Sequence, residues 1–126
     1  MYDVIVTDEI LSKSLLSATS QLVDALRDAQ AALGNLIDGV AEVQARVTRG
    51  EGIDHIVRSS DAEEYRRVVD EGMEKFENWR RIARGSVIRA ALAEGMTLTE
   101  VAEEFGFSRT YARRLARESA DLPPAP

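Results

Sequence analysis

Apolar residues recur along this chain with two helical rhythms. From about Asp8 to Arg49, Leu15, Leu22, Ala29, Leu36 and Val43 return every seventh position. Thr19, Leu26, Leu33, Val40 and Val47 do the same, offset by four. All but Thr19 are apolar, a sustained heptad pattern that predicts a long coiled-coil helix. Gly34 and Gly39 interrupt it, each costing roughly 1 kcal/mol against alanine inside a helix. Arg49-Gly-Glu-Gly52 stops the helix, and 53–59 is a connector. Ser60-Asp-Ala-Glu63 has the form of a capping box. Beyond it Ala62, Tyr65, Val69, Gly72, Phe76, Trp79 and Ala83 are spaced alternately by three and four, a second seam.

Two seams of similar length joined by a short connector predict an antiparallel helical hairpin over 8–84, roughly 45 Å long at 1.5 Å per residue. Folding back about residue 54 sets Trp79 opposite Ala29, large against small. A two-helix hairpin buries too little apolar area to stand alone. The remaining face is therefore expected to meet a second copy, most economically in a homodimeric four-helix bundle; a tetramer fits the same heptads. The core of hairpin and dimer is assigned to Leu15, Leu22, Leu26, Leu33, Leu36, Val40, Val43, Tyr65, Val69, Phe76 and Trp79.

Either side of the hairpin the rhythm changes. Residues 1–7, with β-branched Val4, Ile5 and Val6, read as an extended arm or a short strand. Gly85-Ser86 interrupts the second seam and predicts a kink or break, so a small module of three helices is expected over 85–119. Its first helix carries Val87, Ile88, Ala91 and Leu92 and closes at Glu94-Gly95. Thr97 and Glu100 form a second capping box at the head of a short helix, Leu98 to Phe105. After Gly106-Phe107, Ser108 caps a last helix from Arg109 to about Glu118. The proline-rich end, 120–126, cannot continue it and reads as a disordered tail.

The stretch Leu98-Thr-Glu-Val-Ala-Glu-Glu-Phe-Gly-Phe-Ser-Arg-Thr-Tyr-Ala-Arg-Arg-Leu-Ala-Arg117 resembles the helix-turn-helix of DNA-binding regulators. The resemblance covers only the last third of the chain. Ala102 stands where that family needs a small residue between closely crossing helices. Gly106 stands at the turn, where a positive φ is required. Val101, Phe105, Phe107 and Leu115 fill the apolar positions, and Ala112 departs from the family's branched aliphatic residue. The resemblance implies a second helix lying in the major groove of double-stranded DNA. Its start would read bases through Ser108, Arg109, Thr110 and Arg113, with Arg114 and Arg117 on phosphates and Tyr111 in the core or against a thymine. The residues agree on their own terms: Thr110, Arg113, Arg114 and Arg117 share one helical face away from Leu115, and arginine grips guanine or phosphate with two hydrogen bonds.

Charge changes the picture once it is divided. The chain's net charge is −6, yet residues 1–79 hold 16 acids and 8 bases, and residues 80–126 hold 6 acids and 8 bases, all arginine. The first part, net −8, suits contact with a basic protein partner, and the second, net +2, suits nucleic acid. No cysteine and a single histidine, His55, exclude thiol chemistry and multi-histidine metal sites. The adjacent acids Glu63-Glu64, Asp70-Glu71 and Glu103-Glu104 point about 100° apart on helices and do not converge on a substrate. The expectation is a non-enzymatic all-α protein without cofactor or metal, cytoplasmic, with no secretory signal in Met1–Val6 and no membrane contact. A homodimeric transcription regulator reading two half-sites about 34 Å apart, or a multiple of that, fits best. The alternative is an oligomeric adaptor, a DNA-packaging or partition component, whose C-terminal module contacts protein or nucleoprotein.

Overall fold

A computed structural model describes residues 2–120, with side chains from residue 9 onward. It is all-helical: α1 Tyr2–Thr48, α2 Ile53–Ser59, α3 Ala62–Ala93, α4 Leu98–Phe105 and α5 Arg109–Ala120. Among the described residues there is no strand and no helix long and apolar enough to cross a membrane. α1 takes in residues 2–7, in place of the expected extended arm or strand. α5 reaches Ala120, and the remainder of the expected tail, 121–126, lies outside the described residues. The chain divides into two compact units, one formed by Ala25–Phe76 and the other by the residues up to Asp24 together with those from Glu77.

In the unit Ala25–Phe76, α1 and α3 run antiparallel. Lys75 Nζ donates to Asp28 Oδ2 at 2.7 Å. A Cβ placed on Gly72 would lie 3.7 Å from Ala32 Cβ and 3.8 Å from Ala29 Cα. The Tyr65 ring sits over Gly39, with Cζ 3.2 Å from where a Cβ would stand. These contacts pair 28 with 75, 32 with 72 and 39 with 65, so Gly72 faces Ala29, in place of the expected Trp79. The reason is small-residue packing: Ala25, Ala29 and Ala32 are buried, and glycine and alanine let two helix backbones approach closely.

That choice of face divides the heptad pattern. The line Leu15, Leu22, Ala29, Leu36 is buried or half-buried, as the heptads predict. Its companion in the buried seam is Ala18, Ala25, Ala32 and Gly39, one residue before the expected Thr19, Leu26, Leu33 and Val40. Leu26, Leu33, Val40 and Val47 are exposed, and so, more marginally, are Val43 and Tyr65. None of these six belongs to a closed core within the chain. Val69, Phe76 and Trp79 are half-buried. An open apolar groove of about 440 Å³ runs between the helices, lined by Leu36, Val40, Val43, Tyr65 and Val69.

The connector is itself helical. α1 gives way to a turn through Gly50, φ 86°, and Arg46 ties the turn down, its Nε donating to Glu51 Oε2 and its Nη2 to Ser59 Oγ at 2.7 Å. The hydrogen bond from Arg46 holds the Glu51 carboxyl below the usual carboxylate range. Ser60 does not cap α3 as expected: it ends α2, and its hydroxyl donates to Val57 O at 3.1 Å.

Candidate functional site

The expected break at Gly85-Ser86 is absent, and α3 continues through both residues to Ala93. Glycine stands at 85 because α5 presses on it. A Cβ there would clash with the Leu115 carbonyl and lie 2.7 Å from Ser119 Cβ. Ala83, Gly85, Ser86 and Ile88 are the buried residues of α3. Ile88, Val101, Ala102, Ala112 and Leu115 then close a core of three helices, with Ala91, Leu92, Leu98, Phe107, Tyr111 and Ala116 around it. Ala102 and Ala112 are 2% and 0% exposed, so the small residue that departs from the family pattern occupies a closed contact.

Each helix start and stop in this module has an identifiable cause. At the end of α3 the Met96 amide donates to Ala91 O and the Gly95 amide to Leu92 O, the paired bonds of a glycine-terminated helix. Thr97 opens α4 with a full capping box: Glu100 N donates to Thr97 Oγ1 at 3.1 Å, and Thr97 N donates to Glu100 Oε1 at 3.0 Å. Gly106 adopts φ 73°, ψ 26°, where the absent Cβ removes the steric cost of the left-handed region. The Phe107 amide closes back on Ala102 O at 2.8 Å. The Tyr111 amide donates to Ser108 Oγ at 3.1 Å, so Ser108 caps α5.

The capping box yields two predictions. Thr97→Ala removes an acceptor at the head of α4 and should lower stability by about 1 kcal/mol, read as a lower midpoint in urea. Acid should act on the same site. The Thr97 amide, then its hydroxyl, holds the Glu100 carboxyl below its ordinary value of 4.5. A depressed folded value means that the stabilisation is complete above the unfolded value and lost as pH falls through the folded one. The difference in Tm between wild type and Glu100→Gln should therefore shrink between about pH 6 and about pH 3. A constant difference would show that the carboxylate's charge contributes nothing there.

On α5, burial of Ala112, Leu115 and Ser119 turns the opposite face outward. Arg109, Thr110, Arg113, Arg114 and Arg117 are exposed on this one short helix. They are not equivalent. Arg114 lies 5.0 Å from the Tyr111 ring centroid and 3.9 Å from Glu118 Oε1. Arg109, Arg113 and Arg117 form no ion pair among the described residues. Tyr111 is half-buried and meets Phe107 edge-on at 4.9 Å, so its ring belongs to the module's packing. Phe105 departs from its expected core position: it is 37% exposed and stacks on Phe107 at 5.4 Å. The helix is only eight residues long, and its buried face is filled by Val101 and Ala102, which leaves Phe105 at the rim.

One residue joins the site without any mark in the sequence. Arg84, from α3, lies 5.5 Å from the Phe107 ring centroid, on the residue that precedes the α5 cap. No periodicity distinguishes it among the eight arginines of 80–126, because its placement depends on the three-helix packing.

Against this, α4 exposes Glu100, Glu103 and Glu104. These carboxylates would repel a polyanion wherever they faced it. Among the described residues no group of three or more His, Asp or Glu side chains converges to hold a metal ion. Comparison of the chain with protein-family models, curated proteins and solved structures finds no match to any of them.

Proposed function

We propose that this chain is a homodimeric transcription regulator that binds double-stranded DNA in a sequence-specific way, with α5 in the major groove. One observation carries the reading. A twelve-residue helix, anchored by Ala112, Leu115 and Ser119, presents Arg109, Thr110, Arg113 and Arg117 on its free face, three of them arginines with no intramolecular ion pair among the described residues. Stability has no use for such a face, while a groove edged by phosphates and lined by guanine acceptors does. The short helix α4, the left-handed Gly106 and the small residues Ala102 and Ala112 support the helix-turn-helix reading of the same segment. Arg109, Thr110 and Arg113 are assigned to base edges and Arg117 to phosphate. Ser108 serves first as a cap.

The test is selection from genomic fragments with the purified full-length protein, followed by a salt titration of the best fragment. A near-palindromic motif, bound with affinity that falls steeply with salt at about 0.9 log units per phosphate neutralised, is the expected result. The acidic face of α4 and the exposed apolar line of α1 favour a second reading, the oligomeric adaptor whose C-terminal module contacts protein. Absence of any enriched motif, with binding gone at physiological salt, would transfer the function to that reading.

A further inference from the structure

α3 leaves a line of large apolar residues uncovered on α1. Leu26, Leu33, Ile37 and Val40 are 44%, 41%, 67% and 59% exposed, and they alternate by seven, four and three, as a second coiled-coil seam does. The flank of this seam away from α3 is equally unusual for a solvated helix. It carries Ala31, Gly34 and Ala41, and between Leu26 and Thr48 its charges are Arg27, Asp38 and, on the line of Ala31, Glu42. Gly34 has nothing within 4 Å of the position its Cβ would take. The fold of the single chain therefore makes no use of a glycine that costs its helix roughly 1 kcal/mol.

We infer that this strip is where a second copy of the chain binds, with the two α1 helices antiparallel and crossing beside Leu33 and Gly34. Charge complementarity selects the occupant and the direction. Arg27 and Asp38 stand eleven residues apart on one line, with opposite signs. A two-fold axis midway between them sets Arg27 of each copy against Asp38 of the other and passes beside Leu33 and Gly34. The missing side chain at 34 then admits the second backbone. In a parallel pair Arg27 of one copy and Asp38 of the other stay eleven residues apart along the axis, about 16 Å at 1.5 Å per residue, so the opposite charges cannot meet. Leu33 and Ile37 fall at the crossing. This rests on the homodimer half of the proposed function and specifies the surface and orientation through which it forms.

Sedimentation of the full chain at tens of micromolar tests it. The wild type is expected as a dimer. Arg27→Asp and Asp38→Arg should each raise the dimer dissociation constant roughly tenfold, because two like-charge contacts replace two attractive ones. The double variant should return it to near the wild-type value. A mixture of the two single variants should associate more tightly than either alone, and Leu33→Glu should sediment as a monomer with unchanged helical circular dichroism. A monomeric wild type would overturn the inference. So would a dimer indifferent to Leu33→Glu, or charge variants that fail to rescue one another. A dimer of this kind that selects no DNA motif would defeat only the regulator reading and leave the interface in place.

Discussion

Gly85→Ala is expected to unravel the C-terminal module, although glycine-to-alanine exchange in a helix interior ordinarily stabilises by about 1 kcal/mol. The sign reverses because of what the new methyl would meet. Its nearest neighbours are the Leu115 carbonyl oxygen and the Ser119 Cβ, the first of them backbone in the middle of α5, so no rotamer change can make room. Accommodation requires α5 to move off α3, which opens the packing of Ile88 against Ala112 and Leu115. Forced overpacking of this kind costs roughly 1–3 kcal/mol and at times more. Native-state hydrogen exchange is the discriminating measurement. Amides of Val101, Ala102, Ala112 and Leu115 should become less protected, while those of Ala25, Ala29 and Ala32 keep their protection. A variant more stable than wild type would mean that α5 does not rest on Gly85.

The same glycine shows where the residue pattern is ambiguous. Gly85-Ser86 suggests an interruption because both residues are weak helix formers, yet small size also marks a helix-helix contact, and propensity is overridden when packing gains more. The alanines mislead in the same direction. Leu26, Leu33 and Val40 are louder in a hydrophobic pattern than Ala25, Ala32 and Gly39, but the quieter line is the one α3 covers. A helix apolar on two adjacent lines has two candidate seams, and only the partner's shape decides between them: Gly72 fits alanine. Elements with a local cause are legible in the residues alone. The stop at Gly50, the box of Thr97 with Glu100, the turn at Gly106 and the arginine face of α5 each follow from a few neighbouring residues. The position of Arg84 over Phe107 follows from no neighbour and is not legible.

Arg113→Ala should cost the DNA complex about 1–3 kcal/mol per half-site, the largest single effect expected on α5, and should relax base preference at one position of each half-site. Arg113 is in the exposed row with no ion pair among the described residues to release, so on the proposed reading its guanidinium would enter the groove without breaking one, and its five donors suit the paired acceptors of guanine. Arg117→Ala, a turn further along, should weaken all sequences alike and reduce the salt slope by about 0.9 for each phosphate it no longer neutralises. Arg114→Ala should do least, because that side chain already stacks on Tyr111 and faces Glu118, and turning it to DNA gives up both interactions. Fluorescence anisotropy on the selected site and on a scrambled one, each across a range of salt, separates the three. Equal weakening on both sites for Arg113→Ala would place it on phosphate. If all three variants bind as tightly as wild type, α5 is not the DNA-contacting helix.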